Sequence, residues 1–172
     1  VTTWVVDAER SSLAIDGKSS LHPIHGKLRP GVLSGTIEAT VTDGAVDPGA
    51  PTSATLRFPV EALSFGNAMY DRELPKRMET RRYPDVVLGL DKAQAVEPGV
   101  HQVTLSLEVH GSTVSFDETV RTAVDDDGDT LTVSGEHRFD VRQFGVEPPK
   151  LLGMKVHPEF TVHLDVVAHR QA

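Results

Sequence analysis

The chain has no cysteine, which excludes disulfide frameworks, thiolate metal sites, iron–sulfur clusters and thiol nucleophiles. Aromatic residues are few: one Trp, two Tyr and six Phe among 172 residues. No stretch approaches the ~18 consecutive apolar residues of a membrane-spanning helix. Basic residues are outnumbered, 17 Lys and Arg against 25 Asp and Glu, for a formal net charge of −8. That balance, with no long basic run, argues against nucleic acid as a partner. A Gly-rich phosphate loop, a Gly-x-Ser-x-Gly elbow and a His-Glu-x-x-His helix are also missing. The opening Val1-Thr2-Thr3-Trp4-Val5-Val6-Asp7 lacks the charged lead and apolar run of a signal peptide. The expectation is a cytoplasmic chain, with a secreted or periplasmic mature form as the alternative.

What is present is alternation. In 53–60, Ala54, Leu56, Phe58 and Val60 alternate with Ser53, Thr55, Arg57 and Pro59. In 101–110, Val103, Leu105, Leu107 and Val109 share one parity. In 130–141, Leu131, Val133, Phe139 and Val141 do the same, and in 159–168, Phe160, Val162, Leu164, Val166 and Ala168. A period of two marks strands with one dry and one wet face. Weaker runs at 11–19, 32–41, 84–91 and 113–123 bring the count to about eight strands. His110-Gly111-Ser112 and Asp127-Gly128 sit between alternating runs as hairpin turns, and Asp47-Pro48-Gly49-Ala50-Pro51 reads as a loop. Segment 71–82 breaks the pattern. Leu74 and Met78 are four apart, Asp71 is placed to cap, and Tyr83-Pro84 ends the run, so a short helix is predicted there. Antiparallel strands with one helix and no linker predict a single all-β domain over 1–172, an eight-stranded up-and-down barrel with the helix over one opening.

Three sets of residues carry candidate chemistry. His22-Pro23-Ile24-His25-Gly26 places two imidazoles beside a stiff proline, and His157 in Val156-His157-Pro158 is a third. If first and last strands meet, the three converge at one rim, facing the lumen mouth, as ligands for a metal ion or a haem. His137 shares the dry-side parity of Val133 and Phe139, which marks a core hydrogen bond or a catalytic imidazole. Arg72, Lys76, Arg77, Arg81 and Arg82 give segment 71–82 five basic residues against three acidic ones. Arg77 and Arg81, four apart, are placed to act together on an anionic head group. The run 125–129 lacks the ligand spacing of a calcium loop and reads as a solvated turn.

Several short motifs resemble the YceI-like polyisoprenoid-binding family in chain order: Trp4-Val5-Val6-Asp7; Ser64-Phe65-Gly66-Asn67 with Asp71-Arg72-Glu73-Leu74 and Arg82-Tyr83-Pro84; Leu107-Glu108-Val109-His110-Gly111-Ser112-Thr113; and Arg142-Gln143-Phe144-Gly145. The resemblance implies a lipocalin-like eight-stranded barrel holding a long apolar chain, usually an isoprenoid. The His22–His25 element and segment 146–150 with His157-Pro158 depart from that pattern.

Resemblance and alternation together predict a lumen lined by Leu56, Phe58, Val133 and Phe139, closed at one end by Met69, Leu74 and Met78, with a polar head group at Arg77 and Arg81. The partner expected is a hydrophobic small molecule or lipid. The alternative is a small barrel enzyme acting on a hydrophobic substrate, through His137 or Arg77, or through a metal or haem on His22, His25 and His157.

Overall fold

The computed structural model describes residues 1–148, 150, 151 and 153–172; Pro149, within segment 146–150, lies outside the described residues. In chain order the strands are β1 (Thr2–Val6), β2 (Ser12–Lys18), β3 (Pro23–Leu28), β4 (Ser34–Thr42), β5 (Ala45–Asp47), β6 (Ser53–Pro59) and β7 (Leu63–Ser64). The helix α1 (Ala68–Arg77) follows, then β8 (Asp85–Glu97), β9 (Val100–Val109), β10 (Ser112–Val124) and β11 (Thr130–Asp140). The short pair β12 (Lys150–Leu151) and β13 (Met154–Lys155) precedes the last long strand, β14 (Glu159–Arg170).

Eight strands close the expected barrel in the order β1-β4-β6-β8-β9-β10-β11-β14, and β14 returns to β1. Every pairing is antiparallel. Closure joins the last strand to the first, and the one short ladder in the ring is β10 with β11, paired only from Arg121 and Ser134 to Val124 and Leu131.

The first strand is broken on purpose. β1 pairs with the C-terminal half of β14, Trp4 opposite Arg170, while β2 pairs with its N-terminal half, Asp16 opposite Thr161. Between them Asp7 makes the turn. Its Oδ1 accepts from the amides of Glu9 and Arg10, and Ser11 bonds back to Val167. β1 thereby continues into β4, whereas β2 leads into β3 and β7. The wall therefore parts at one end, where α1 stands.

β8 is longer than its alternation suggests because the ladder to β9 shifts between Leu90 and Lys92. One extra residue, Asp91, reverses the parity: Leu88 and Leu90 face inward before it, Ala93 after it. The Asp43-Gly44 turn, both residues at positive φ, folds β5 back on β4. His110-Gly111 makes the same kind of turn between β9 and β10.

The helix differs from its predicted span. It starts at Ala68, capped by Asn67, whose Oδ1 accepts from the amides of Met69 (2.9 Å) and Tyr70 (3.4 Å). Asp71 instead ties down the approach, accepting from the Phe65 amide (2.8 Å) and the Ser64 hydroxyl (2.9 Å). Pro75 lies near the C-terminal end of α1, and the helix gives out at Arg77. His110 holds this end together: Nδ1 meets the Phe144 carbonyl and Nε2 meets Glu79.

Candidate functional site

The inward parity of the eight strands packs a core around Trp4, Leu131 and Val166 and leaves cavities within it. An upper cavity of about 120 Å³ lies between Ile37, Leu56, Leu88, His101, Val133 and Leu164. A lower one of about 190 Å³ lies between Leu56, Phe58, Leu88, Met78, Phe139 and Leu164. A buried water needs only roughly 10–15 Å³ of such space. Leu56, Leu88 and Leu164 line both cavities and form the waist between them. At the α1 end a third cavity of about 80 Å³ is lined by Ile24, Tyr70, Glu73, Arg77 and Val156, and it shares Phe65, Leu74, Met78 and Phe160 with the lower one. Shared wall residues thus set the three cavities one after another from His101 to α1.

Local sequence explains the mouth. Gly17 and Gly26 lie on adjacent strands, and an added Cβ would come within 2.5 Å of the Phe160 ring and 2.4 Å of the Phe65 ring. The two glycines leave room for those rings to lie against the wall at the opening. Along the strand, His101 to Val109 is eight residue steps of β9, roughly 27 Å at ~3.4 Å per step. A strand tilt of 35–45° makes that about 20 Å along the barrel axis.

A fourth cavity, about 80 Å³, opens where β10 and β11 separate. Their ladder runs only from Arg121 and Ser134 to Val124 and Leu131. Beyond it the seam is filled by side chains: His137 packs on Phe116 and Phe139, with centroids 4.3 and 4.6 Å away, and its Nδ1 lies 2.8 Å from Glu118 Oε2. Both His137 and Glu118 are half-buried.

The candidate ligand residues fall into place unevenly. Leu56, Phe58, Leu74, Met78 and Phe139 line the lower cavity, Leu56 and Val133 the upper, and Arg77 the mouth. Met69 and Arg81 are absent from the lining of these four cavities, and Arg81 is exposed. Glu73 lines the same cavity as Arg77 and pairs with Lys76 at 3.7 Å.

The three metal candidates are not arranged at the lumen mouth. In β3, Ile24 and Gly26 take the buried parity, so His25 faces outward with a 74% exposed side chain. His25 Nδ1 is 2.6 Å from Asp16, His22 Nδ1 is 2.9 Å from the Pro23 carbonyl, and exposed His157 lines an outer groove with Asp16 and Lys18. Among the described residues no three His, Asp or Glu side chains are placed to hold a metal ion together. Asp16 instead bridges His25 and His163 (2.9 Å), and its carboxyl is held below the usual range, chiefly by the His25 hydrogen bond. Asp7 is held down in the same way by His169.

The residue missed by the alternation argument is His101. It carries the parity of Val103 and Leu105, and that signal was present in the sequence. It is 4% exposed, and it lines the upper cavity with Thr122, Val46, Pro48 and Thr52. Burial pushes its imidazole below the ordinary histidine range.

A family model described as the YceI-like domain matches residues 4–168. The chain belongs to the YceI-like family. Solved structures agree on the fold. BcnA of Burkholderia cenocepacia superposes with a TM-score of 0.78 at 19% identity, over 94% of this chain and 98% of that one. A polyisoprenoid binding domain from Saccharophagus degradans, implicated in plant cell wall breakdown, gives 0.76 at 14% identity, over 99% and 100%. The YCEI protein of Campylobacter jejuni gives 0.66 at 14%, over 86% and 85%. Comparison with curated proteins yields no match. At these identities the likeness is one of fold.

Proposed function

We propose that this YceI-like barrel binds one elongated apolar molecule, an isoprenoid or similar lipid-like chain, inside its lumen. The observation that carries the reading is the line of apolar cavities from His101 through the Leu56–Leu88–Leu164 waist to the α1 mouth. Burying a chain there removes hydrocarbon from water at about 25 cal/mol per Å² without opening the fold. Because the lining is largely aliphatic, it suits a flexible alkyl or prenyl chain better than stacked rings. The Saccharophagus degradans domain, named for polyisoprenoid binding, supports the same ligand class.

The test is displacement of an environment-sensitive dye from delipidated protein by farnesol, geranylgeraniol and hexadecane. Saturable competition at one site per chain is expected, with affinity rising with chain length up to the length of the lumen. Failure of every apolar chain to compete, with the barrel folded, contradicts the proposal.

A further inference from the structure

The turn between β2 and β3 holds a leucine out in water. Leu21 is 73% exposed, yet the turn that carries it is closely bonded. Ser19 Oγ accepts from the amides of Leu21 (3.3 Å) and His22 (3.1 Å), and the Ser19 amide donates to the His22 carbonyl (2.9 Å). The Ser20 amide donates to the Lys155 carbonyl (2.9 Å), and the Lys155 amide donates to Ser20 Oγ (3.0 Å). Turn and β13 are therefore one unit, and the exposure of Leu21 is fixed by the backbone. Beside it Lys150 and Lys155 stand directly opposite each other in the β12–β13 pair, both exposed. Like charges so placed are unfavourable. None of Lys18, Lys150 and Lys155 takes part in an ion pair among the described residues.

These groups border the α1 mouth. Ile24, three residues after Leu21, and Val156, next to Lys155, line its cavity with Arg77. Residues 18–23, residues 150–155 and α1 together hold six Lys and Arg against two acids, in a chain of net charge −8. The opposite end has the other sign. The β10–β11 turn carries Asp125, Asp126, Asp127 and Asp129, and Leu131 just after it lines the upper cavity. Val96, 62% exposed, lies at that end beside Glu97. Exposed apolar side chains thus occur at both ends, but only at the mouth do they stand among unpaired lysines.

Resting on the lumen reading above for its purpose, we propose that the mouth end docks on an anionic lipid bilayer, from which the apolar ligand enters. Leu21 sits among the head groups and acyl ends, and Lys18, Lys150 and Lys155 face the lipid phosphates. Two terms add in such a contact: apolar area taken from water, and attraction between lysines and a negative surface. The charge separation along the barrel orients the approach, since the aspartate turn is repelled by the surface that draws the lysines. An anionic surface also relieves the repulsion between Lys150 and Lys155, which nothing within the chain does. Docked in this way, the cavity lined by Ile24, Val156 and Arg77 opens toward the membrane. An apolar chain then passes from bilayer to lumen with little exposure to water.

The test is flotation of delipidated protein with vesicles of phosphatidylcholine, alone or mixed with phosphatidylglycerol. The vesicles carry no prenol, so docking is read apart from filling of the lumen. Binding to the mixed vesicles is expected, and it weakens as salt rises. Lys150→Gln combined with Lys155→Gln lowers the affinity roughly 25-fold, at roughly fivefold per lysine near an anionic surface. Leu21→Ser lowers it roughly tenfold. Lys92→Gln, an equal charge change in the second half of β8 away from the mouth, leaves it unchanged. In Leu21→Trp the mixed vesicles shift the added indole emission to the blue; in Val96→Trp they do not. Absence of binding to the mixed vesicles overturns the proposal. So does an equal loss from Lys92→Gln and from either mouth lysine, or a blue shift in Val96→Trp in place of Leu21→Trp. Protein that docks as described but takes up no free prenol keeps the docking surface and contradicts the lumen reading. Protein that binds free prenol but not the mixed vesicles does the reverse.

Discussion

Leu88→Trp separates a barrel with an occupied lumen from one whose interior is merely loosely packed. Leu88 stands where the upper, lower and seam cavities meet. It is half-buried although it points inward, because it faces space. Overpacking a dense core costs about 1–3 kcal/mol. Here an indole enters space already open on both sides of the waist, so the cost falls at the low end, about 1 kcal/mol. For a chain this size that lowers Tm by about 2–4 °C. Binding responds far more. Each 100 Å² of ligand surface kept out of the upper cavity forfeits about 2.5 kcal/mol, roughly 70-fold in affinity. Thermal unfolding by circular dichroism and dye displacement by a long prenol measure both sides. A folded variant that binds the prenol within twofold of wild type refutes the claim that the chain passes the waist.

Other expectations follow from single side chains. Leu131→Ala deletes a 1% exposed wall residue and should cost about 2–5 kcal/mol, read from denaturant unfolding. Asn67→Ala removes the acceptor for the Met69 and Tyr70 amides and should cost α1 about 1 kcal/mol, seen as faster amide exchange at the start of the helix. Burial holds the His101 imidazole below the ordinary histidine range. The unfolded chain therefore takes up a proton just below pH ~6.5 that the folded chain refuses, and stability falls as pH drops through that window. His101→Gln should flatten this limb relative to wild type in urea melts at stepped pH. Asp140 is held down by Arg142 through its side chain and backbone. Its contribution is present above the ordinary carboxylate range and is lost as pH falls through the lowered value, so Asp140→Asn should make the acid limb shallower.

The barrel was legible because one face of each long strand is dry. The parities of Leu56 and Phe58, of Leu131, Val133 and Phe139, and of Phe160 through Ala168 all point to the lumen. Where the period slips, reading failed for a physical reason. The extra residue at Asp91 reverses the parity of β8, so its second half read as no strand. The start of α1 was placed four residues late because Asp71, a good cap by type, instead clasps Ser64 and Phe65. The grouping of His22, His25 and His157 rests on first and last strands meeting in a closed barrel, which brings the segments near but does not set the faces of their side chains. Register decides which face they take, and His25 shares the outward face with Pro23. His101 has the inward parity of Val103 in the sequence, whereas its place beside Val46 and Pro48 depends on how β5 and the loop after it fold back, which alternation does not show. The broken first strand, by contrast, follows from Asp7 once its capping bonds are seen.

Native mass spectrometry of protein purified without added lipid, before and after organic extraction, bears most directly on the lumen. The account predicts one apolar molecule per chain, removed by extraction, with the empty barrel still folded and refilled at the same stoichiometry by a long prenol. A folded chain that carries no such molecule and takes up none when offered would contradict it.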